Sequence, residues 1–474
     1  MKKKLLILTF SFSVVFPFLR AQNFTDLQNG FPSLIGASVA WSDYDGDDDL
    51  DFALIGFSSF QAELGRIYRN DGGGAFTIIK NLEFPVSNGA LSWGDFDHDG
   101  DPDLLVNGQG GLFSPAAVTM IYRNNGNDEF LPLSAGLPGV IGISRWMDYD
   151  GDGWHDIIMA GIGNSFTEDS IRLFHNDSTG EFTEVQINLP GYHASDISIV
   201  DFDVDGDMDF FLTGGTLSVS TFPVTRLYRN DGNAQFNQVA FPFINLSTGT
   251  TAWADYDHDG DPDVLYDGLD STILNALTLI YRNDGMGQFT LIDANLPGSG
   301  EPGSVDWADI DGDGDLDILL GGPTTLLRND GNNIYTDITP VDFQQGIPCS
   351  FVDMDNDGDE DILIVSASGG ETGSSIHRNE NITAVENAHQ EYSSFAFPNP
   401  VVDVLTIHPG EKIIGNFNFR LMNVIGQEVT NQEIQHHEEN VGKQIDLSFL
   451  HPGLYVYTII QQGLIIQTGK VIVN

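Results

Sequence analysis

Seven times along this chain, carboxylates recur at every second position of a nine-residue stretch, and the stretches come at a near-constant interval. They begin at Asp43, Asp95, Asp148, Asp201, Asp255, Asp309 and Asp353, so the spacings are 52, 53, 53, 54, 54 and 44 residues. The second reads Asp95-Phe-Asp-His-Asp-Gly-Asp-Pro-Asp103, with Gly100 at position 6 and the apolar run Leu104-Leu105-Val106 behind it. A period near 50 residues with strand-like content predicts a propeller or another repeat array.

Alternate carboxylates on a tight loop can converge on one hard cation, and ligation by oxygen alone points to Ca²⁺. Positions 1, 3, 5, 7 and 9 are Asp43, Asp45, Asp47, Asp49 and Asp51 in the first loop and Asp95, Asp97, Asp99, Asp101 and Asp103 in the second. They are Asp148, Asp150, Asp152, Trp154 and Asp156 in the third, and Asp201, Asp203, Asp205, Asp207 and Asp209 in the fourth. The fifth has Asp255, Asp257, Asp259, Asp261 and Asp263, and the sixth Asp309, Asp311, Asp313, Asp315 and Asp317. The seventh has Asp353, Asp355, Asp357, Asp359 and Asp361. Positions 1, 3, 5 and 9 are expected to give side-chain oxygens and position 7 its backbone carbonyl, which accommodates Trp154. The first loop departs from the others, with Gly46 at position 4 and Asp48 at position 6; Asp tolerates the left-handed turn that position 6 requires. An EF-hand is excluded, because position 12 is apolar throughout (Leu54, Val106, Met159, Leu212, Tyr266, Leu320 and Ile364) and cannot ligate. Like charges at this density cannot fold together without a counterion. Up to seven Ca²⁺ are therefore expected, in a structural role.

The flanks repeat as well. A segment ending in Trp (Trp41, Trp93, Trp146, Trp253, Trp307; Ile199 and Phe351 in the other two repeats) precedes each loop, and an apolar strand follows it. A third strand ends in Tyr-Arg-Asn-Asp-Gly, as at Tyr68 to Gly72 and Tyr281 to Gly285, which is hairpin-turn chemistry. A fourth opens with Phe-Thr, as at Phe76-Thr77. Four short antiparallel strands make a blade. The chain opens with a lone fourth strand at Phe24-Thr25, and the seventh repeat stops at its third strand near Asn379, so the first strand is expected to complete the last blade and close the ring. The fold class expected is all-β: a seven-bladed calcium-loop β-propeller over residues 22–381, followed by a small β-sandwich. The Trp series is expected to pack between blades, and Arg69, Arg123, Arg229, Arg282, Arg328 and Arg378 at the hairpin ends are expected to pair with nearby carboxylates.

Loops such as Trp307-Ala-Asp-Ile-Asp-Gly-Asp-Gly-Asp-Leu-Asp-Ile-Leu-Leu-Gly321 resemble the FG-GAP/VCBS-type repeats of integrin α-like propellers. The resemblance implies a Ca²⁺ in each loop between first and second strands. It names no ligand, because one fold serves adhesins, lectins and carbohydrate-active enzymes.

The two ends of the chain read differently. Met1-Lys-Lys-Lys4, an apolar run from Leu5 to Phe18 and the small Ala21 predict a signal peptide over residues 1–21. Nothing later is long and apolar enough to span a bilayer, so no transmembrane segment is expected in the mature protein. A formal net charge of −50 disfavours nucleic acid as a partner. The single Cys349 allows no intrachain disulfide and is expected to be a buried structural thiol. Residues 382–394 read as a linker. From Phe395 to Asn474, short alternating strands predict a β-sandwich. The order Pro-Asn-Pro400, Gly426-Gln427, Asp446-Leu-Ser-Phe-Leu450, Gly453-Leu-Tyr455 and Lys470-Val-Ile-Val473 resembles the C-terminal sorting domain of type IX secretion substrates. That resemblance implies a Bacteroidetes-type bacterium, a partnership with the type IX secretion machinery and export across the outer membrane.

A secreted or cell-surface binding or adhesion module for a glycan or protein ligand is the expected function. The ligand surface is expected on the variable stretches that follow the second strands, which carry Phe57, Phe60, Phe113, Phe166 and Phe222. A structural cell-surface component is the alternative. A polysaccharide lyase or glycosidase is less favoured: no nucleophile motif appears and no insertion is long enough to build a catalytic lid. No catalytic residue is assigned.

Overall fold

The computed structural model describes residues 24–58, 62–111, 116–164, 169–178, 180–215, 223–270, 272–273, 275–300, 303–366 and 373–380, and in the remainder of the chain 395–397, 404–408, 417–423, 428–434, 443–447, 450, 453–461 and 464–473. The expected signal peptide and linker lie outside these residues, as do Phe60, Phe113, Phe166 and Phe222. The chain separates into two compact units, Met1–Glu380 and Asn381–Asn474.

The first unit is a β-propeller. Its described residues form seven four-stranded sheets, each an antiparallel meander such as Leu34–Ser42, Asp51–Ser58, Ala62–Asn70 and Phe76–Asn81. The sequence of each strand follows from its place in the sheet. Second strands are near-continuous apolar runs because neighbouring sheets cover both faces: Asp51 to Gly56 and Asp156 to Gly161 are buried throughout. Fourth strands such as Phe289–Ile292 are only part-buried and expose Thr290 and Leu291. Gly161 (φ +151°) lies at a close approach of first and second strands, and a Cβ there would stand 2.2 Å from the Ile141 carbonyl oxygen.

The expected closure is present. Phe24–Asp26 pairs antiparallel with Ser375–Asn379, Phe24 opposite Asn379, completing the sheet of Gly346–Val352 and Asp361–Ser366. One apolar cluster joins Leu34, Phe52 and Leu54 to Val352, Met354 and Leu363 across the join. The free edges of the inner strands are satisfied laterally by side chains of the preceding sheet. Asp196 Oδ2 accepts from Thr251 N at 3.0 Å, Thr250 Oγ1 from Val305 N at 2.9 Å, Ser304 Oγ from Cys349 N at 3.2 Å and Asp306 Oδ2 from Phe351 N at 3.0 Å. The Trp series packs between sheets as expected: Trp93 Nε1 donates to Ala40 O and Trp146 Nε1 to Ser92 O, both at 3.0 Å, while Trp41 Nε1 donates to Ser350 Oγ at 3.1 Å.

In the second unit, the three strands Phe395–Phe397, Val404–His408 and Lys443–Asp446 form one sheet. Glu428–Ile434, Phe417–Asn423, Gly453–Gln461 and Leu464–Val473 form another. Leu405 and Ile445 of the smaller sheet share one core with Phe419, Leu421, Tyr457 and Ile459 of the larger, which makes it a sandwich. Among the described residues of the chain, no helix is long and apolar enough to cross a membrane.

Candidate metal centres

Each Asp loop has a buried base and an exposed tip. At the base, the position 9 carboxylates Asp51, Asp103, Asp156, Asp209, Asp263, Asp317 and Asp361 are all fully buried. Oδ2 accepts the backbone N–H of position 2, and Oδ1 that of the asparagine ending the third strand. In the fourth loop these bonds run from Phe202 N at 3.2 Å and Asn230 N at 2.7 Å. Burial pushes the position 9 carboxyls up, to about 7 in Asp51, Asp156, Asp209 and Asp263 and to about 8 in Asp103, Asp317 and Asp361. Two N–H donors do not offset the desolvation of a charge, so the base holds a proton or needs a cation.

The asparagine of Tyr-Arg-Asn-Asp-Gly does more than turn a hairpin. Asn230 Nδ2 donates to Tyr149 O of the preceding loop at 2.7 Å and to Met208 O of its own loop at 3.2 Å, while its Oδ1 accepts Gly232 N at 3.0 Å. Asn70, Asn124, Asn176, Asn283 and Asn379 bind the previous loop's position 2 carbonyl in the same way. Sequence reasoning saw only the turn. The available signal was an invariant Asn in each repeat, 18 to 21 residues after a position 9 Asp in all but the sixth repeat, where the spacing is 12.

At the tip, the position 1 carboxylate organises the turn. Asp255 Oδ1 accepts Asp259 N and its Oδ2 accepts Gly260 N, both at 3.0 Å, and Asp259 Oδ1 accepts Asp261 N at 3.0 Å. The turn needs left-handed backbone twice. Position 6 is glycine (φ +88° to +99°) except for Asp48 at φ +72°. Position 4 is left-handed too, in His98, Val204, His258 and Asn356 as well as in the glycines of the other loops. Gly46 and Asp48 therefore fit the first loop to the common geometry, and Asp43 accepts from Gly46 N, Asp47 N and Asp48 N as its counterparts do.

Whether these residues suit a metal is decided at position 3. Oδ1 of Asp97, Asp203, Asp311 and Asp355 is buried without a hydrogen-bond partner, an arrangement that leaves an acceptor with nothing to accept. Ligand oxygens of Asp43, Asp45 and Asp51 lie within 4.8 Å of one another, as do those of Asp95, Asp97 and Asp99, of Asp148, Asp150 and Asp156, and of Asp201, Asp203 and Asp209. The clustered acids at positions 1, 3, 5 and 9 could hold a metal ion. In the second and fifth loops the position 7 side chain leans away over the hairpin: a Cβ at Gly126 would meet Asp101 Oδ2 at 3.1 Å, and one at Gly285 would meet Asp261 Oδ2 at 3.2 Å. In the seventh loop Asp359 is instead buried beside Asp357 and Asp361, with both carboxylate oxygens unpartnered. Where the side chain leans away, position 7 could offer a metal ion only its backbone carbonyl, which Trp154 could supply equally well.

The arginines pair locally. Arg69, Arg229, Arg282 and Arg328 each bind the Asp of their own Asn-Asp-Gly turn at 2.6–2.8 Å. Arg123, whose turn has Asn125 in place of the Asp, reaches instead to Asp97 Oδ2 at 2.7 Å, leaving the unpartnered Oδ1 free. In the third repeat His175 takes the arginine's place, with Nδ1 3.1 Å from Asp156 Oδ1 and 3.5 Å from Asp150 Oδ2. The Cys349 thiol is buried and pushed up to about 12 by desolvation, as an inert structural thiol should be.

Two family models match this chain. Residues 43–106, 148–212 and 275–320 match the FG-GAP-like repeat, and residues 396–474 match the secretion system C-terminal sorting domain. The human T-cell immunomodulatory protein is 26% identical over 216 residues, covering 41% of this chain and 32% of its own length; the chain thus spans about a third of that relative. Among solved structures, the Dos1 propeller has a TM-score of 0.42 at 11% identity, covering 76% of this chain and 95% of its own. Drosophila Semaphorin 2a has a TM-score of 0.36 at 9% identity, covering 96% and 98%. The sorting domain marks the chain for export to the cell surface or beyond. The protein is a β-propeller that contains FG-GAP-like repeats and ends in a secretion system C-terminal sorting domain.

Proposed function

We propose that this chain is a secreted or cell-surface calcium-binding propeller that serves as an extracellular binding or adhesion module. The observation that carries the reading is the buried, unpartnered position 3 oxygen of Asp97, Asp203, Asp311 and Asp355, each beside a position 9 carboxylate that burial has stripped of water. An all-oxygen set of four carboxylates and a carbonyl suits calcium over softer ions. Calcium is abundant where a sorting domain delivers its cargo. The ions, up to seven, act as staples that let acidic loops fold, and the propeller is non-catalytic on this reading.

The mature protein runs from residue 22 as a seven-bladed propeller to residue 381, with a linker over 382–394 and the sorting domain over 395–474. The division of the structure at Glu380 falls beside the propeller's end in this reading. The ligand, a glycan or a protein, would bind away from the calcium loops, on the variable stretches that begin near Phe57. The sorting domain would meet the type IX secretion machinery.

The test is a polysaccharide and glycan array probed with the chain from residue 22, in calcium and again with a chelator. Binding that vanishes with chelator supports a calcium-dependent lectin-like module. Absence of binding by folded, calcium-loaded protein would shift the reading to a protein partner or a structural component. Release of cleaved product from a bound glycan would overturn the non-catalytic reading.

A further inference from the structure

Six of the seven asparagines stitch their loop to the preceding one at the base, Asn329 of the sixth repeat binding Leu316 O of its own loop instead, and at the tips the stitching is more selective. In three loops position 4, the first of the two left-handed residues, reaches positions 6 or 7 of the loop that follows around the ring. Where position 4 carries a polar or aromatic side chain, that side chain crosses the gap. His98 of the second loop stacks on Trp154, position 7 of the third, with ring centroids 4.0 Å apart and planes 7° from parallel. His155 returns the contact, its Nδ1 2.7 Å from Asp95 O. His258 of the fifth loop places Nε2 2.8 Å from Gly314 O, position 6 of the sixth. Asn356 of the seventh donates through Nδ2 to Asp48 O, position 6 of the first, and to Asp49 Oδ1 at 3.2 Å.

The remaining loops carry Gly46, Gly151, Gly312 and the exposed Val204 at position 4. Glycine has no side chain to cross with, and Val204 makes no hydrogen bond or ring contact among the described residues. The seven tips therefore divide into three joined pairs (seventh with first, second with third, fifth with sixth) and the fourth loop by itself. No tip belongs to two pairs.

We propose that calcium binds these loops as three cooperative pairs and one independent site. This rests on the calcium reading above and goes beyond it. The carbonyl offered to the ion is that of position 7, one peptide beyond the position 6 carbonyl that His258 and Asn356 hold, so a side chain that pins position 6 or 7 prepares the neighbouring loop for its ligand. An empty tip, with four carboxylates repelling one another, samples more conformations than a filled one. Filling one loop of a pair fixes its position 4 residue, which lowers the ordering cost of the next loop, and linkage makes the effect reciprocal. The asparagine contacts cannot produce this grouping, because they recur at the base of the unpaired fourth loop as well, where Asn283 holds Phe202 O and Asn230 anchors to Asp209.

The experiment is a calcium titration of the full secreted chain against a chromophoric chelator. His258→Gly and Asn356→Gly each delete one crossing side chain, with Val204→Gly as control. Glycine already occupies position 4 of three loops in the same left-handed conformation, so these variants retain the turn. The two crossing variants should each weaken two bound ions by at least about fivefold, the low end of ordinary coupling, and leave the rest unchanged. Val204→Gly should alter at most its own ion. Asp311→Asn, which damages the sixth loop, should weaken the fifth loop's ion in the wild-type background but not in His258→Gly. Seven mutually independent sites in the wild type, or additivity of Asp311→Asn with His258→Gly, would overturn the pairing while leaving the calcium reading intact. A wild-type chain that takes up no calcium would overturn both.

Discussion

The base and the tip of each Asp loop lie a few residues apart and obey different rules. The base is uniform: a fully buried Asp takes two backbone N–H groups in every repeat, and an Asn recurs beside it. The tip is exposed and varied, with glycine, histidine, valine or asparagine at position 4 and a tryptophan admitted at position 7. The base answers to desolvation, where any change leaves a buried polar group unpaired. On the calcium reading, the tip answers to the ion, which needs oxygens and a turn but tolerates most side chains that point outward. One nine-residue stretch thus records both a folding constraint and a binding constraint, and the two separate under perturbation.

The largest effect should come from removing the ions altogether. At free calcium about tenfold above the dissociation constant, each site contributes about 1.4 kcal/mol, or about 10 kcal/mol over seven loops. Chelation should therefore lower the melting temperature more than any point substitution, and a melt in calcium against chelator measures it. The pH dependence of the stripped protein sharpens the point. Its position 9 carboxyls are held up to about 7 or 8 against an ordinary 3.8. Between these values the folded state keeps protons that the unfolded chain has released, so stability is greatest below about 4 and falls as pH rises through the folded values. The carboxyls that hairpin partners hold low, such as Asp71, Asp284 and Asp330, act below their ordinary range and leave this window untouched. Stripped protein should melt more easily at pH 8 than at pH 5.5. Loaded protein should show the opposite order, because protons compete with calcium for the same oxygens. A stripped protein with no such slope would mean that the bases are hydrated.

A break confined to the base should be smaller and indifferent to calcium. Asn230→Ala strands the carbonyls of Tyr149 and Met208 and leaves Gly232 N–H without its acceptor. Buried groups left unpaired cost about 1–3 kcal/mol each, and a total of about 3 kcal/mol is expected in denaturant unfolding, equal with calcium and with chelator. A loss seen only in calcium would mean that the asparagine serves the ion rather than the fold.

Much of this molecule was legible in its sequence because its constraints repeat. The period of the Asp stretches, the apolar runs behind them and the orphan strand at Phe24 foretold the sheets and the closing pair of Phe24 with Asn379. The tight turn at position 6 was legible because glycine almost always fills it. The left-handed residue at position 4 was not, since Val204 at φ +56° gives no composition signal and His98 reads as an idle substitution. The lateral bonds of Asn230 and His258 were hidden for another reason. Their partners lie 81 and 56 residues away, one repeat or more along the chain, and nothing local to either residue names them. Periodicity reveals what each repeat does for itself. It conceals what each does for its neighbour.

The smallest effect should come from the tip alone. Asp205, position 5 of the fourth loop, is exposed, and its carboxylate holds the Asp207 N–H at 3.0 Å. In chelator, Asp205→Ala removes one solvent-facing bond and some like-charge repulsion from Asp203, two terms of opposite sign that should nearly cancel. In calcium the same change removes a ligand oxygen from one site, and the loss should approach about 1.4 kcal/mol, the contribution of one ion at tenfold saturation. Stability should thus respond only when the ion is present, the reverse of the calcium-blind Asn230→Ala. Because Val204 reaches no neighbour, the deficit should stop at a single ion, countable by titration. Equal losses with and without calcium would erase the division between base and tip, since position 5 would then be holding the turn together by itself.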